Sequence, residues 1–274
     1  MGESIFADTM ADMNWTEIEK KGQAGVPVLF PLGVIEQHGP HLPLGTDIYF
    51  SYAVCKRIKV ELEELGKYCL IAPPYYWGIN HCTNAFPGTF SLKPETMKLV
   101  LLDIFSNLHQ FGFDKIYCIN EHGDALHVQT ILEAIKQANT DFQMEIKLLL
   151  EPYELPLYQL SGTEEYVLVD GAEYPNESFD KKEDAFEIHA GAYETAAMNY
   201  FYPGVPNKKL AETLPDYSLN NESMKQWLEG GEATRKVVPL GYAGNPAEFM
   251  EQAPTVEAIF DLLCKYIANY IATN

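Results

Sequence analysis

The chain is poor in basic residues: 19 Lys and Arg stand against 39 Asp and Glu, giving a formal net charge of −20. A surface of that sign has too few cations to neutralise a run of phosphates, so nucleic acid is not an expected partner. Anionic lipid headgroups would repel it for the same reason. No apolar stretch approaches the roughly 20 residues a membrane-spanning helix needs. The N-terminal MGESIFADTM has no basic segment followed by an apolar run, so no signal peptide is expected. Cysteine is sparse and unpatterned: Cys55, Cys69, Cys82, Cys118 and Cys264 make an odd number, with no CxxC pair. Reduced, mostly buried thiols in a cytoplasmic protein are the expectation. Tryptophan is limited to Trp15, Trp77 and Trp227.

What is present is a globular composition. The 274 residues are 47% hydrophobic, enough to bury a large core without staples. VPVLFPLG (26–33) reads as a buried strand. Ile48, Tyr52, Cys55, Ile58, Leu62 and Leu65 then recur at steps of three and four, an apolar helical stripe that Gly66 ends. YCLIAPP (68–74), KIYCIN (115–120) and EIKLLLE (145–151) are further strands. Between them lie a helix opened by Pro94 and ended at Gly112, and another marked by Val128, Ile131, Ile135 and Ala138. Strands alternating with helices imply an α/β fold with a mostly parallel sheet covered on both faces. With no repeat and no linker, one domain over 1–274 is expected.

Beyond residue 151 the pattern weakens. The acidic, aromatic segment 152–186 suits an insertion, a lid or an oligomer contact. Residues 187–201 should begin with a turn and continue as a helix, and 203–235 read as surface structure. KVVPLGYAGNP (236–246) reads as a strand or extended run into a turn, and Val256, Ile259, Leu263, Ile267 and Tyr270 mark a closing helix.

The first and third strands run directly into loops bearing His and acid, and ligands of such sheets sit outside the carboxyl ends of the strands. Glu36 and His38 are two apart, so in an extended segment a carboxylate and an imidazole point the same way. Asp47 follows just ahead of a long helix, where a helix N-cap is an equally natural role. Oxygen and nitrogen donors in this E-x-H-x8-D pattern suit zinc, manganese or iron(II). His122 and Asp124 end the third strand, with a helix cap as the plain role for Asp124. Glu187, His189 and Glu194 form a third cluster, with small residues at 190 and 191 that permit a close backbone approach.

PLGVIEQHGPHLPLGTD (31–47) resembles the opening signature of the creatininase (creatinine amidohydrolase) family. AFPGTFSLKPET, NEHGD, HAGAYET and GYAGNP resemble later segments of that family, in order. The resemblance implies a three-layer α/β/α sandwich with a two-metal site. Glu36, Asp47 and His122 would hold one divalent cation; His38 and Asp47 would hold the second, with Asp47 bridging. The last ligand is either Asp124, at the position of creatininase's own glutamate, or Glu194. Zinc is the expected metal, with manganese or iron as alternatives. His189 matches the family's catalytic histidine. The implied reaction is hydrolysis of a C–N bond in an amide, formamide or lactam of a small molecule by a metal-activated hydroxide. Alternatives within the fold are a formamide deformylase and a peptidase that trims a modified peptide; a metal-binding relative without activity is another. A homo-oligomer, often a hexamer, is implied too. Glu121 stands where the family has a small residue, Ile188 where creatininase has a glutamate, and its substrate-closing tryptophans have no clear match.

Overall fold

The computed structural model describes residues 6–174 and 185–274. Five strands form one all-parallel sheet: β1 (Val28–Leu32), β2 (Leu70–Ile71), β3 (Lys115–Asn120), β4 (Glu145–Leu150) and β5 (Val167–Val169), in spatial order β2-β1-β3-β4-β5. Alternation along the strands divides the core. Leu29, Ile71, Tyr117, Ile119 and Leu168 face one layer, formed by α2 (Thr46–Glu64), α5 (Ala192–Phe201) and α9 (Phe249–Thr273). Val28, Phe30, Leu32, Ile116, Cys118, Ile146 and Leu148 face the other, formed by α3 (Pro94–Gln110) and α4 (Ala125–Phe142). Both faces being covered explains why the strands read as near-continuous apolar runs. The result is the three-layer α/β/α arrangement.

Proline sits inside β1, where a ladder needs N–H donors. The Pro31 carbonyl accepts from Tyr75 N at 3.0 Å, so the backbone of residue 31 faces the β2 side. There β2 has already ended at Ile71, ahead of Pro73 and Pro74, and the missing donor has no strand partner to disappoint.

Several elements differ from the sequence expectation. An N-terminal helix α1 (Trp15–Gln23), held by an Asn14–Glu17 capping box, and the three-residue β5 were not anticipated. Asp47 is not a helix cap: Gly45 occupies that place and Asp47 lies buried in the first turn of α2. Residues 236–246 contain no strand. Instead α8 (Gly231–Val237) runs through Val237, and a turn follows whose Ala243 forms an isolated bridge with His189. The 203–235 stretch is not merely surface: α6 (Lys208–Ala211), α7 (Asn221–Glu229) and α8 bury Ala211, Trp227 and Thr234. Residues 175–184 of the acidic segment lie outside the described residues; its earlier part supplies β5. Among the described residues no helix is long and apolar enough to cross a membrane.

Candidate metal centre

Leu32 and Asn120 are partners in register at the carboxyl ends of β1 and β3. The loops that leave these neighbouring strands therefore start side by side, one carrying Glu36 and His38, the other His122. Asp47 reaches the same place because α2 approaches the end of β1 across Gly33. A Cβ on Gly33 would lie 2.9 Å from Ile48 N and 3.1 Å from Asp47 Cβ, so only glycine allows that approach.

Glu36, His38, Asp47 and His122 all converge, and each is at least nine-tenths buried. His38 Nε2 is 2.9 Å from Asp47 Oδ1. His122 Nδ1 is 3.0 Å from Glu36 Oε1 and 3.2 Å from Asp47 Oδ2. On each imidazole the other nitrogen is spoken for. His38 Nδ1 lies 3.1 Å from the Glu36 carbonyl, and His122 Nε2 lies 2.9 Å from the Ile79 carbonyl. A peptide carbonyl only accepts, so these nitrogens carry hydrogens. Neutral imidazoles would then turn lone pairs from His38 Nε2 and His122 Nδ1 towards carboxylate oxygens. Lone pairs facing lone pairs need a cation between them, and histidines that bind metals are commonly fixed this way by their far nitrogen.

The charges agree. Burial alone would pull His38 down, but Asp47, helped by Glu194 and Glu36, lifts it to about 10. His122 is likewise lifted well above its ordinary value against burial, chiefly by Glu36 and Asp47. Burial pulls Glu36 and Asp47 up, yet the imidazoles outweigh it and hold both carboxyls below their ordinary values. Protons thus gather where positive charge is wanted. Even so, Asp47 Oδ2 is buried without a hydrogen bond of acceptable geometry. A buried acceptor left over in a set of His nitrogens and carboxylate oxygens fits a divalent cation of the zinc or manganese type. Glu36, Asp47 and His122 offer donor atoms that all lie within 4.8 Å of one another, as do Glu36, His38 and His189.

The remaining candidates separate. Glu194 lies in the first turn of α5, its Oε2 3.7 Å from His38 Nε2 and accepting from Ala190 N at 2.8 Å; its side chain is a quarter exposed. Asp124 is the N-cap of α4, accepting from Leu126 N and His127 N through Oδ1 and from His81 N through Oδ2. His189 is packed between His38 and Trp227, with ring centroids 4.3 and 5.5 Å away. Its Nε2 donates to the Gln37 carbonyl at 2.7 Å, leaving Nδ1 as the nitrogen free to exchange a proton. Glu187, from the same motif, is a latch: its carboxylate accepts from Tyr193 N and Asn245 N. Glu121 is pushed up to about 8 by burial and by the nearby charges of Glu151 and Glu154.

Residues the sequence did not single out also belong here. Thr83 donates a short hydrogen bond to Glu36 Oε2, Gln37 Nε2 lies 3.3 Å from His189 Nε2, and Trp227 covers His189. Trp227 is 38 residues from its partner in sequence, and only its position among the chain's few tryptophans marked it.

This geometry sits on a chain that matches the creatininase family model, described as creatinine amidohydrolase, over residues 11–271. The chain belongs to the creatininase family. It is 33% identical over 128 residues to a creatinine amidohydrolase from Pseudomonas putida, covering 44% of this chain and 46% of that protein. It is 31% identical over 118 residues to a mycofactocin precursor peptide peptidase from Mycobacterium ulcerans, covering 42% and 46%. The matches span about half the length of these curated relatives. Over the whole fold, a solved structure described as "Creatininase Mn" superposes with a TM-score of 0.64 at 23% identity, covering 97% of this chain and 98% of that one. At that identity the likeness shows that this chain shares the creatininase fold.

Proposed function

We propose that residues 1–274 act as one creatininase-like domain that hydrolyses a C–N bond, in an amide, formamide or lactam, with two divalent cations. One observation carries this reading. Two buried histidines, each locked by a backbone carbonyl, aim their free nitrogens at carboxylates that come from elsewhere in the chain. In the proposed site Glu36, Asp47 and His122 hold one cation, while His38, Asp47 and Glu194 hold the other. Glu194 is preferred to Asp124 because the latter's carboxylate already serves three backbone N–H groups. Zinc suits the donors best, with manganese or iron as alternatives. Bound there, the cations would supply Lewis acidity and lower the pKa of a water from about 15.7 towards ~7.

The chain's own residues do the rest. His189, held at Nε2 by the Gln37 carbonyl, takes up at Nδ1 the proton that the attacking water releases and delivers it to the departing nitrogen as the C–N bond breaks. Trp227 and the His38 ring fix its plane. Glu194, whose side chain is a quarter exposed, marks the side from which the small-molecule substrate would enter. A peptide substrate is the second reading, favoured by the 31% identity to a peptide peptidase. A panel of creatinine, formamides and short peptides separates the two.

The experiment that tests the site is metal analysis of protein purified without chelator. Glu36→Ala and Asp47→Ala should strip metal. His189→Ala should keep it and lose turnover by about 10²–10⁴-fold. If His189→Ala strips metal instead, that side chain is a ligand and the assignment of its role is wrong.

A cytoplasmic homo-oligomer completes the proposal. Five free cysteines support a reducing compartment. The exposed cluster of Tyr76, Trp77 and Phe90 supports burial between subunits. Light scattering on the purified chain would show a monomer if the oligomer is wrong.

A further inference from the structure

His127 is completely buried at the start of α4, behind His122, and the mechanism above gives it no task. Its ring stands edge-on to His122 at 4.9 Å between centroids. The bonds around it close into a circuit. The His122 carbonyl accepts from Asn120 Nδ2 at 2.7 Å. Asn120 Oδ1 lies 3.1 Å from His127 Nε2. His127 Nδ1 accepts from Ile79 N at 3.2 Å. The Ile79 carbonyl accepts from His122 Nε2 at 2.9 Å. The circuit therefore begins and ends on His122, once through its backbone and once through its ring.

Only one assignment of hydrogens satisfies it. The Ile79 N–H can only donate, so His127 Nδ1 is the acceptor and Nε2 carries the hydrogen. That hydrogen meets Asn120 Oδ1, which leaves the Asn120 amino group for the His122 carbonyl. Sterics hold the parts together. A Cβ on Gly78 would lie 2.4 Å from His127 Nδ1 and Cε1, so the backbone carrying Ile79 rests directly on the His127 ring. The α4 cap holds the other side, through Asp124 Oδ1 to His127 N at 3.2 Å.

We propose that His127 is a positioning residue: through Ile79 and Asn120 it fixes the ring plane and tautomer of His122, so that Nδ1 meets the cation shared with Glu36 and Asp47. The inference rests on the two-metal reading above. Outer partners of this kind are worth about 10–100-fold in metal affinity. The two ring nitrogens do separable jobs. His127→Asn retains an acceptor near the Nδ1 position for Ile79 N, and His127→Gln retains a donor near the Nε2 position for Asn120 Oδ1. His127→Leu retains bulk and loses both.

The test is Zn²⁺ affinity of the full chain, stripped and reloaded, in competition with a chromophoric chelator, alongside the melting temperature of the stripped protein. His127→Leu should bind one zinc normally and the other about 10–100-fold more weakly. His127→Asn and His127→Gln should each fall between it and wild type. Co²⁺-loaded His127→Leu should show altered visible bands from one ion. Asn120→Asp, which keeps the acceptor but loses the donor to His122, should reproduce the selective loss without touching the core ring. Two normal equivalents in His127→Leu or Asn120→Asp overturn the inference. So does an equal loss at both ions that merely follows a lowered melting temperature. If the wild-type chain binds no divalent cation, the two-metal reading fails and the inference fails with it; wild-type binding with indifferent variants sinks the positioning role alone.

Discussion

Asp124 and Glu194 compete for one place in the proposed site, and a pair of substitutions decides between them. Asp124→Ala removes the acceptor for Leu126 N at 3.0 Å, His127 N at 3.2 Å and His81 N at 2.7 Å. Loss of an N-cap costs about 0.5–2 kcal/mol. Loss of the third bond, which ties the 78–83 loop to α4, adds about 1 kcal/mol. The expected destabilisation is therefore about 1.5–3 kcal/mol, and at roughly 2–4 °C per kcal/mol for a chain of this size it lowers the melting temperature by several degrees. Metal content should stay at two equivalents. Glu194→Ala removes one bond, to Ala190 N at 2.8 Å, from a side chain that is 26% exposed. Its cost to folding is nearer 1 kcal/mol. It also removes an oxygen 3.7 Å from His38 Nε2, and one equivalent of metal should go with it. Differential scanning fluorimetry of the metal-free proteins gives the stability half of the comparison, and elemental analysis by mass spectrometry gives the metal half. The reasoning is refuted if Asp124→Ala strips an equivalent while Glu194→Ala retains both.

Gly33→Ala should weaken metal binding although residue 33 touches no cation. The added Cβ meets the α2 backbone at 2.9–3.0 Å and must push Asp47 away from His38 and His122, a strain of about 1–3 kcal/mol. Unchanged affinity in a chelator titration would count against the geometry. In the metal-free chain, His38 titrates near 10 instead of 6.5. Its pairing with Asp47 adds stability that is complete below about 6.5 and is lost as pH climbs through about 10. Chelator-treated protein should therefore melt at falling temperature across that window. Metal uptake within it should release protons, which calorimetry in buffers of different ionisation enthalpy counts. A flat melting profile together with no proton release would sink the account.

The elements legible in the sequence were those with local cause. Continuous apolar runs bounded by Gly and Pro became β1, β3 and β4, because a strand buried on both faces has no polar alternation to break the run. The stripe at Ile48–Leu65 and the Pro94 start became α2 and α3 for similarly local reasons. The misses have reasons too. β5 is three residues long and, among the described residues, takes its ladder from β4 alone. The 236–246 segment reads as a strand or extended run, yet residues 236–237 finish a helix because α7 and α8 pack around Trp227 and Val238. Such tertiary overrides leave no periodic trace.

The sequence by itself determined the inventory: which acids and imidazoles exist, that they follow strand ends, and that they follow a known family's order. Strand ends and donor types are local properties, written in adjacent residues. Only the tertiary structure decided which nitrogen of each histidine faces inward, since that follows from carbonyls of Glu36, Ile79 and Gln37 delivered by separate loops. It alone also put Asp124 on a helix end and Glu194 beside His38, because side-chain partners are settled by where the backbone brings them.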